Sequence, residues 1–292
     1  MESLMKILLT GATGFIGRNL SQVLTTAGHQ VIPASRRNGF DFARLLAWTD
    51  WAPHLDGVGA VINAVGIIGP SRGQRFETVH SRAPAALFRA CAETGVRRVL
   101  QISALGAAVD ASTGYYRSKA VADEALRGLD LDWFVLRPSL VYGRGGQSTA
   151  LFMRLASLPL IPVVGDGRQR VQPIHVGDVA AVVARALSAS QPRQTLDLVG
   201  PRSITFADWL QLMREARGMA RGRLLQCPVA LALAFANLGR WISPMLHPDT
   251  LRMLLAGSVA DCEPLARWLG RLPMAIEPRL FFCDAAEVQG RS

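Results

Sequence analysis

The sequence predicts an α/β chain, a doubly wound parallel sheet followed by a small, mainly helical C-terminal lobe. Three observations predict it. Short apolar segments of strand character alternate with amphipathic segments through the first half of the chain. A glycine-rich turn, Gly11-Ala12-Thr13-Gly14-Phe15-Ile16-Gly17, joins the first segment of each kind. Beyond Gly200 the alternation gives way to helical segments punctuated by proline and glycine. Strands that alternate with helices are joined by crossovers, which makes neighbouring strands parallel.

The elements follow in order. Lys6–Thr10 reads as a strand that ends at glycine, and Phe15–Ala27 as a helix that stops at Gly28. Further strands are expected at Gln30–Ala34, Ala60–Asn63, Arg98–Ile102 and Leu131–Leu136. Helical spacing covers Phe76–Thr94 and Tyr115–Arg127, each ended by glycine. After Pro138 the expectation is a short helix at Thr149–Leu155, a helix at Val176–Leu187, a strand at Gln194–Val199 and a helix at Phe206–Arg217. The boundary is placed at residue 200, with 1–200 as the nucleotide-binding domain and 201–292 as the lobe.

Composition narrows the class. The 292 residues are 50% hydrophobic and 18% charged, an ordinary globular balance. The formal charge of +10 is almost all arginine, because Lys6 and Lys119 are the lysines. The arginines are scattered, and no basic run interleaves with aromatics, so a nucleic-acid partner is not expected. The excess suits a phosphate-bearing cofactor, an acidic protein or an anionic membrane, or is a plain surface bias. Cys91, Cys227, Cys262 and Cys283 form no ligand-spaced cluster and read as reduced thiols of a cytoplasmic protein. The histidines are equally dispersed, so no metal site is expected. The apolar stretch Pro228–Ala236 is too short to span a bilayer. It reads as a core helix or as a helix lying on the inner face of a membrane.

The glycine turn carries the first functional reading. One glycine permits the tight turn, a second admits a pyrophosphate close to the backbone, and a third lets helix and strand pack closely. The opening helix then presents its N-terminus to phosphate charge. The position after a strand and before a helix is the context this motif requires. Gly11, Thr13, Gly14, Phe15, Ile16 and Gly17 are therefore assigned to a dinucleotide in a Rossmann-type domain. A ribose-binding acid is expected about 20 residues on, at the end of the second strand. That place reads Ala34-Ser35-Arg36-Arg37, with no acid. Guanidinium groups pair with a 2′-phosphate, so Arg36 and Arg37 predict NADP(H) over NAD(H).

Tyr115 and Lys119 lie four residues apart on a predicted helix and so share a face. A neighbouring ammonium favours the phenolate, which would lower the tyrosine toward working pH. Tyr115 can then exchange a proton with a hydroxyl or carbonyl while hydride moves to or from nicotinamide. Lys119 can also hold the cofactor ribose, and Ser103 can hydrogen-bond the substrate oxygen. Tyr116, three residues from Lys119, is the alternative acid/base.

The spacing G-x-x-G-x-x-G, Tyr115 to Lys119 and several further segments resemble the short-chain dehydrogenase/reductase superfamily. The segments are Asn63–Gly66, Phe76–His80, Gln101–Ala107, Leu136–Gly143 and Gln172–Ala180. Together they resemble its atypical branch related to the NDUFA9 subunit of respiratory complex I, in bacterial form. The resemblance covers most of the chain and is strongest over residues 5–200. It implies that Asp41 and Phe42 lie near adenine, and that the backbone of Asn63, Ala64, Val65 and Gly66 lines the cofactor. It places Pro138, Ser139, Leu140 and Val141 at the nicotinamide end. It implies homodimerisation in many members, and a structural NADPH-holding role in the mitochondrial one. Three activities stay open at this level. They are an oxidoreductase of a small or lipid-like carbonyl or alcohol, an NADPH-binding assembly protein of a membrane complex, and a nucleotide-sugar epimerase or dehydratase.

Overall fold

The computed structural model describes residues 4–70, 73–239 and 247–290. They divide into two compact units, 1–138 with 179–196, and 139–178 with 197–292. Residues 139–178, grouped by the sequence with the first 200, thus cluster with the C-terminal part.

The first unit is built on a six-stranded sheet. Its strands are β1 (Lys6–Thr10), β2 (Gln30–Ala34), β3 (Ala60–Asn63), β4 (Arg98–Ile102), β5 (Asp132–Pro138) and β10 (Gln194–Leu198). Their spatial order is β10-β5-β4-β3-β1-β2. The run β2-β1-β3-β4-β5 pairs in parallel throughout. β3 is buried at every position, as a central strand covered on both faces must be. The chain leaves β1 for β2 on one side and then crosses to β3 on the other. That reversal opens a crevice at the carboxyl ends of β1 and β3.

The helices of this unit are α1 (Phe15–Thr26), the short α2 (Trp48–Trp51), α3 (Ala83–Thr94), α4 (Gly114–Arg127) and α6 (Val176–Ser188), which runs on from the other unit. Their glycine stops hold: Gly28 and Gly95 both take positive φ, at 91° and 81°. The segment expected as one helix from Phe76 begins instead as a π-helical turn, Glu77–Arg82, before α3. The wide turn carries His80 and Ser81 into the interior.

The second unit has three small two-stranded sheets. β6 (Val141–Tyr142) pairs with β9 (Ile174–His175), β7 (Leu160–Val164) with β12 (Arg223–Cys227), and β8 (Arg170–Val171) with β11 (Ile204–Thr205). Its other helices are α5 (Gln147–Ala156), α7 (Phe206–Ala216), α8 (Val229–Gly239), α9 (Pro248–Ala256), α10 (Glu263–Leu269) and α11 (Ala285–Gln289). The lobe expected to be mainly helical beyond Gly200 also contains β11 and β12. Both are short, and each pairs with a strand more than thirty positions earlier, so no local pattern announces them.

Tyr142, Trp209 and Phe281 form the aromatic centre of the second unit, with ring centroids 5.0–5.3 Å apart. Trp209 is fully buried there. Trp209→Ala should therefore cost about 3–5 kcal/mol through lost burial and the cavity left behind. Urea unfolding followed by circular dichroism would show a matching fall in midpoint. An unchanged midpoint would mean that this cluster does not hold the unit together.

Candidate functional site

The glycine turn has the geometry its spacing requires. Gly11 sits at φ 69°, and a Cβ there would lie 2.6 Å from the Ala64 carbonyl oxygen. A Cβ at Gly17 would lie 2.1 Å from the Gly11 carbonyl oxygen, so only glycine lets α1 come this close to the turn after β1. The Gly14 amide donates to Gly11 O at 2.9 Å and closes the turn. The first-turn amides of α1 have no intrahelical acceptor and carry the positive end of the helix dipole. This bare, side-chain-free cradle fits a pyrophosphate.

Beside it lies a cavity of about 400 Å³ lined by Ala12, Thr13, Arg18, Ser35, Arg36 and Arg37. Arg36 and Arg37 occupy a short 3-10 turn after β2. Asn38 closes that turn by accepting from the Ser35 amide and hydroxyl, both at 2.8 Å. Arg18, which sequence reasoning did not single out, donates to Thr13 O at 2.7 Å and brings a third guanidinium to the same cavity. Its signal was available: it directly follows the last glycine of the turn.

At the carboxyl end of the sheet, a buried polar string crosses three strands. Thr10 Oγ1 donates to Asn63 Oδ1 at 2.6 Å, and Asn63 Nδ2 donates to Gln101 Oε1 at 2.6 Å. Asn63 also accepts from the Val65 amide at 3.4 Å. The asparagine thus shapes the Asn63–Gly66 backbone through its side chain.

Lys119 is buried on α4 and donates to the carbonyl oxygens of Val65 (3.1 Å) and Ile102 (3.0 Å). A Cβ at Gly66 would lie 3.5 Å from its Nζ, in ordinary contact. Burial pushes the Lys119 ammonium down to about 8, against an opposing pull from the Asp123 carboxylate. Tyr115, four residues earlier, packs edge-on to Phe76, His80 and Tyr116. Burial holds its phenol well above the usual value, and Tyr116 adds to the effect. The expected lowering of Tyr115 by Lys119 is therefore absent from this structure, because desolvation dominates and the ammonium points at two carbonyls.

Ser103 Oγ donates to Asp123 Oδ2 at 2.6 Å, in a fully buried contact. Arg137 Nε stands 3.7 Å from the same oxygen. Burial raises the Asp123 carboxyl, while the Ser103 hydrogen bond and the Arg137 charge draw it back down. Asp123 was not foreseen, although it sits one helical turn beyond Lys119. Neither was His80. Desolvation, then the Lys119 charge, hold that imidazole well below its ordinary value, so it is neutral. Its Nε2 accepts from the Ile67 amide at 2.9 Å, which puts the proton on Nδ1 facing Ser118 Oγ at 3.0 Å. Ser118 in turn donates to the Tyr115 carbonyl at 2.7 Å.

The remaining expected residues are placed as follows. Asp41 accepts from the Ala43 amide at 3.0 Å and pairs with Arg44. Phe42 is a core residue stacked edge-on to Trp51. Tyr116 packs beside Gly106, where a Cβ would stand 3.2 Å from its ring. The Pro138 carbonyl accepts from the Leu105 amide. Ser139, Leu140 and Val141 belong to the second unit. There Ser139 donates to Leu198 O and Gln172 O, Leu140 O accepts from Ile174, and Val141 pairs in β6.

A glycine cradle at the switch point, beside a Tyr–Lys helix, defines a dinucleotide-binding protein of the short-chain dehydrogenase type. Residues 7–198 match the NAD dependent epimerase/dehydratase family, and the chain belongs to it. The resemblance drawn from the motifs is borne out by the relatives. The mouse NADH dehydrogenase [ubiquinone] 1 alpha subcomplex subunit 9 is 31% identical over 240 residues. That alignment takes in 76% of this chain but only 63% of the subunit. The human epimerase family protein SDR39U1 is 30% identical over 83% of this chain and 89% of its own. The ceramide reductase of Caulobacter vibrioides is 28% identical over 76% and 73%. Among solved structures, MoeE5 in complex with UDP-glucuronic acid and NAD shares the fold. It superposes with TM-score 0.72 at 20% identity, covering 98% of this chain and 100% of its own.

The buried lysine has a consequence for stability. Between about 8 and 10.5 the folded chain holds Lys119 neutral while the unfolded chain binds a proton there. Protons therefore favour unfolding in that window, and stability through this residue rises with pH. Below about 8 the burial penalty is present in full. Thermal melts from neutral pH to pH ~10 should show wild type gaining on Lys119→Met as pH rises. A difference that stays constant with pH would mean the amine is not desolvated.

Proposed function

We propose that this chain is an NADP(H)-dependent oxidoreductase of a carbonyl or alcohol substrate, small or lipid-like. The observation that carries the cofactor choice is the cavity beside the glycine turn, where Arg18, Arg36 and Arg37 converge and no acid stands. Three guanidinium groups suit a 2′-phosphate and have no comparable partner in a free ribose hydroxyl. Gly11 to Gly17 would hold the pyrophosphate, and the Asn63–Gly66 backbone would border the cofactor.

A bound nicotinamide supplies or accepts the hydride. Tyr115 gives or takes the proton of the substrate oxygen. Its raised pKa keeps the phenol protonated, suited to donating a proton in carbonyl reduction. Lys119, held by Val65 O and Ile102 O, places a positive charge one helical turn from the phenol and can turn to a ribose hydroxyl. Ser103 spends its proton on Asp123, so toward a substrate it offers a lone pair.

A second reading is favoured by the mouse relative, whose name is that of a complex subunit. Here the chain would hold NADPH structurally and turn nothing over. Tyr115→Phe separates the two. An enzyme keeps NADPH affinity and loses turnover by about a hundredfold or more, the scale of general acid catalysis. A structural module has no turnover to lose in a carbonyl-substrate screen. The sugar-nucleotide epimerase or dehydratase alternative is supported by the family match over residues 7–198, while the solved neighbours share the fold alone.

The cofactor assignment has its own test. Arg36→Ala/Arg37→Ala should weaken NADPH by about tenfold to a hundredfold and leave NADH nearly unchanged, as lost charge-assisted hydrogen bonds require. Fluorescence titration with both nucleotides reads this directly. Equal losses for the two would remove the preference.

A further inference from the structure

We infer that the second unit carries a docking surface for an anionic phospholipid bilayer, formed by the β7–β12 ribbon and α8. The ribbon is parallel, with Leu160 opposite Arg223 and Ile161 opposite Leu224. Leu158, Leu160, Leu224 and Leu225 on or beside it are exposed. β12 runs through Pro228 directly into α8, whose first residue, Val229, reaches the end of β7 at Gly165.

α8 is Val-Ala-Leu-Ala-Leu-Ala-Phe-Ala-Asn-Leu-Gly, with no charged side chain. A helix apolar all round is normally buried. This one buries Ala236 and leaves Leu231, Phe235 and Leu238 exposed at 48%, 65% and 73%. Those three are spaced i, i+4 and i+7, so they form one outward stripe. An apolar stripe that directly follows an apolar ribbon in the chain points to an interaction surface rather than scattered exposure.

Charge decides what covers it. No carboxylate occurs in residues 156–164 or 223–239. Arg223 on β12 and Arg217, which donates to Ser157 Oγ beside Leu158, are both exposed. Among the described residues neither pairs with an acid, whereas nearby Arg221 pairs with both Asp208 and Glu215. An apolar stripe flanked by unneutralised arginines is complementary to acyl chains under anionic headgroups. A second copy of the chain would bring the same positive charges together. No helix among the described residues is long and apolar enough to cross a membrane. At about 1.5 Å per residue, α8 lies on the surface. None of these residues belongs to the dinucleotide site, so the surface can fail while the cofactor reading stands.

The test is co-sedimentation of the full chain with phosphatidylcholine vesicles, with and without phosphatidylglycerol, at low and high salt. Wild type should bind the anionic vesicles and lose most of that binding at high salt. Leu231→Gln/Phe235→Gln/Leu238→Gln should lower partitioning by about a hundredfold, and Arg217→Gln/Arg223→Gln by about tenfold. Circular dichroism melts and NADPH titration would show the variants folded. Absence of wild-type binding to either vesicle overturns the proposal, as does equal binding by the variants. A concentration-dependent dimer abolished by the α8 substitutions would overturn it in favour of a second copy.

Discussion

The approach of α1 to the turn after β1 is the contact on which the site depends. A methyl group at Gly17 would stand 2.1 Å from the Gly11 carbonyl oxygen, well inside van der Waals contact. Gly11 in turn comes within 2.6 Å, measured from its absent Cβ, of the Ala64 carbonyl. Two strands and a helix therefore meet at backbone distance where the sheet order reverses. The same closeness leaves the first-turn amides of α1 without an intrahelical acceptor. A backbone cradle suited to phosphate is thus a by-product of dense packing at one point, and Arg18, Arg36 and Arg37 line the cavity beside it.

A few steps along the sheet edge, the interior turns polar. Thr10, Asn63 and Gln101 join three strands, while Lys119, Asp123, Ser103 and Arg137 join α4 to β4 and β5. A buried ammonium and a buried carboxylate are each costly, and each is tolerated because partners surround it. The result is a helix face tied to two strands by polar contacts. The His80–Ser118–Tyr115 chain fixes it from the other side, through a neutral imidazole whose tautomer is dictated by the Ile67 amide. Tyr115 is positioned by this framework, and burial keeps its phenol protonated.

The second unit obeys a different logic. Its centre is a conventional aromatic core around Tyr142, Trp209 and Phe281. Asp178 at the start of α6 is buried and satisfied by Arg271 Nη2 at 2.6 Å and the Met274 amide at 2.8 Å. Against that buried interior, the exposed leucines of the ribbon and the phenylalanine of α8 stand out. Apolar area left in water is a cost, and it is removed when the surface meets another apolar phase.

By itself the sequence determined the strand–helix alternation, the glycine turn, the Tyr115–Lys119 helix and the family. These are local: a period of 3.6, a glycine that needs positive φ or a bare backbone, a pair on one helical face. Single residues in the right order sufficed to read them. Only the tertiary structure decided that Arg18 joins Arg36 and Arg37, that Ser103 faces Asp123, and that Phe42 packs in the core. It alone showed the π turn that swings His80 inward and the pairing of β7 with β12 across sixty residues. Those outcomes depend on contacts between segments far apart in the chain. No local pattern encodes them, because burial and desolvation are properties of the assembled neighbours and not of the residue itself.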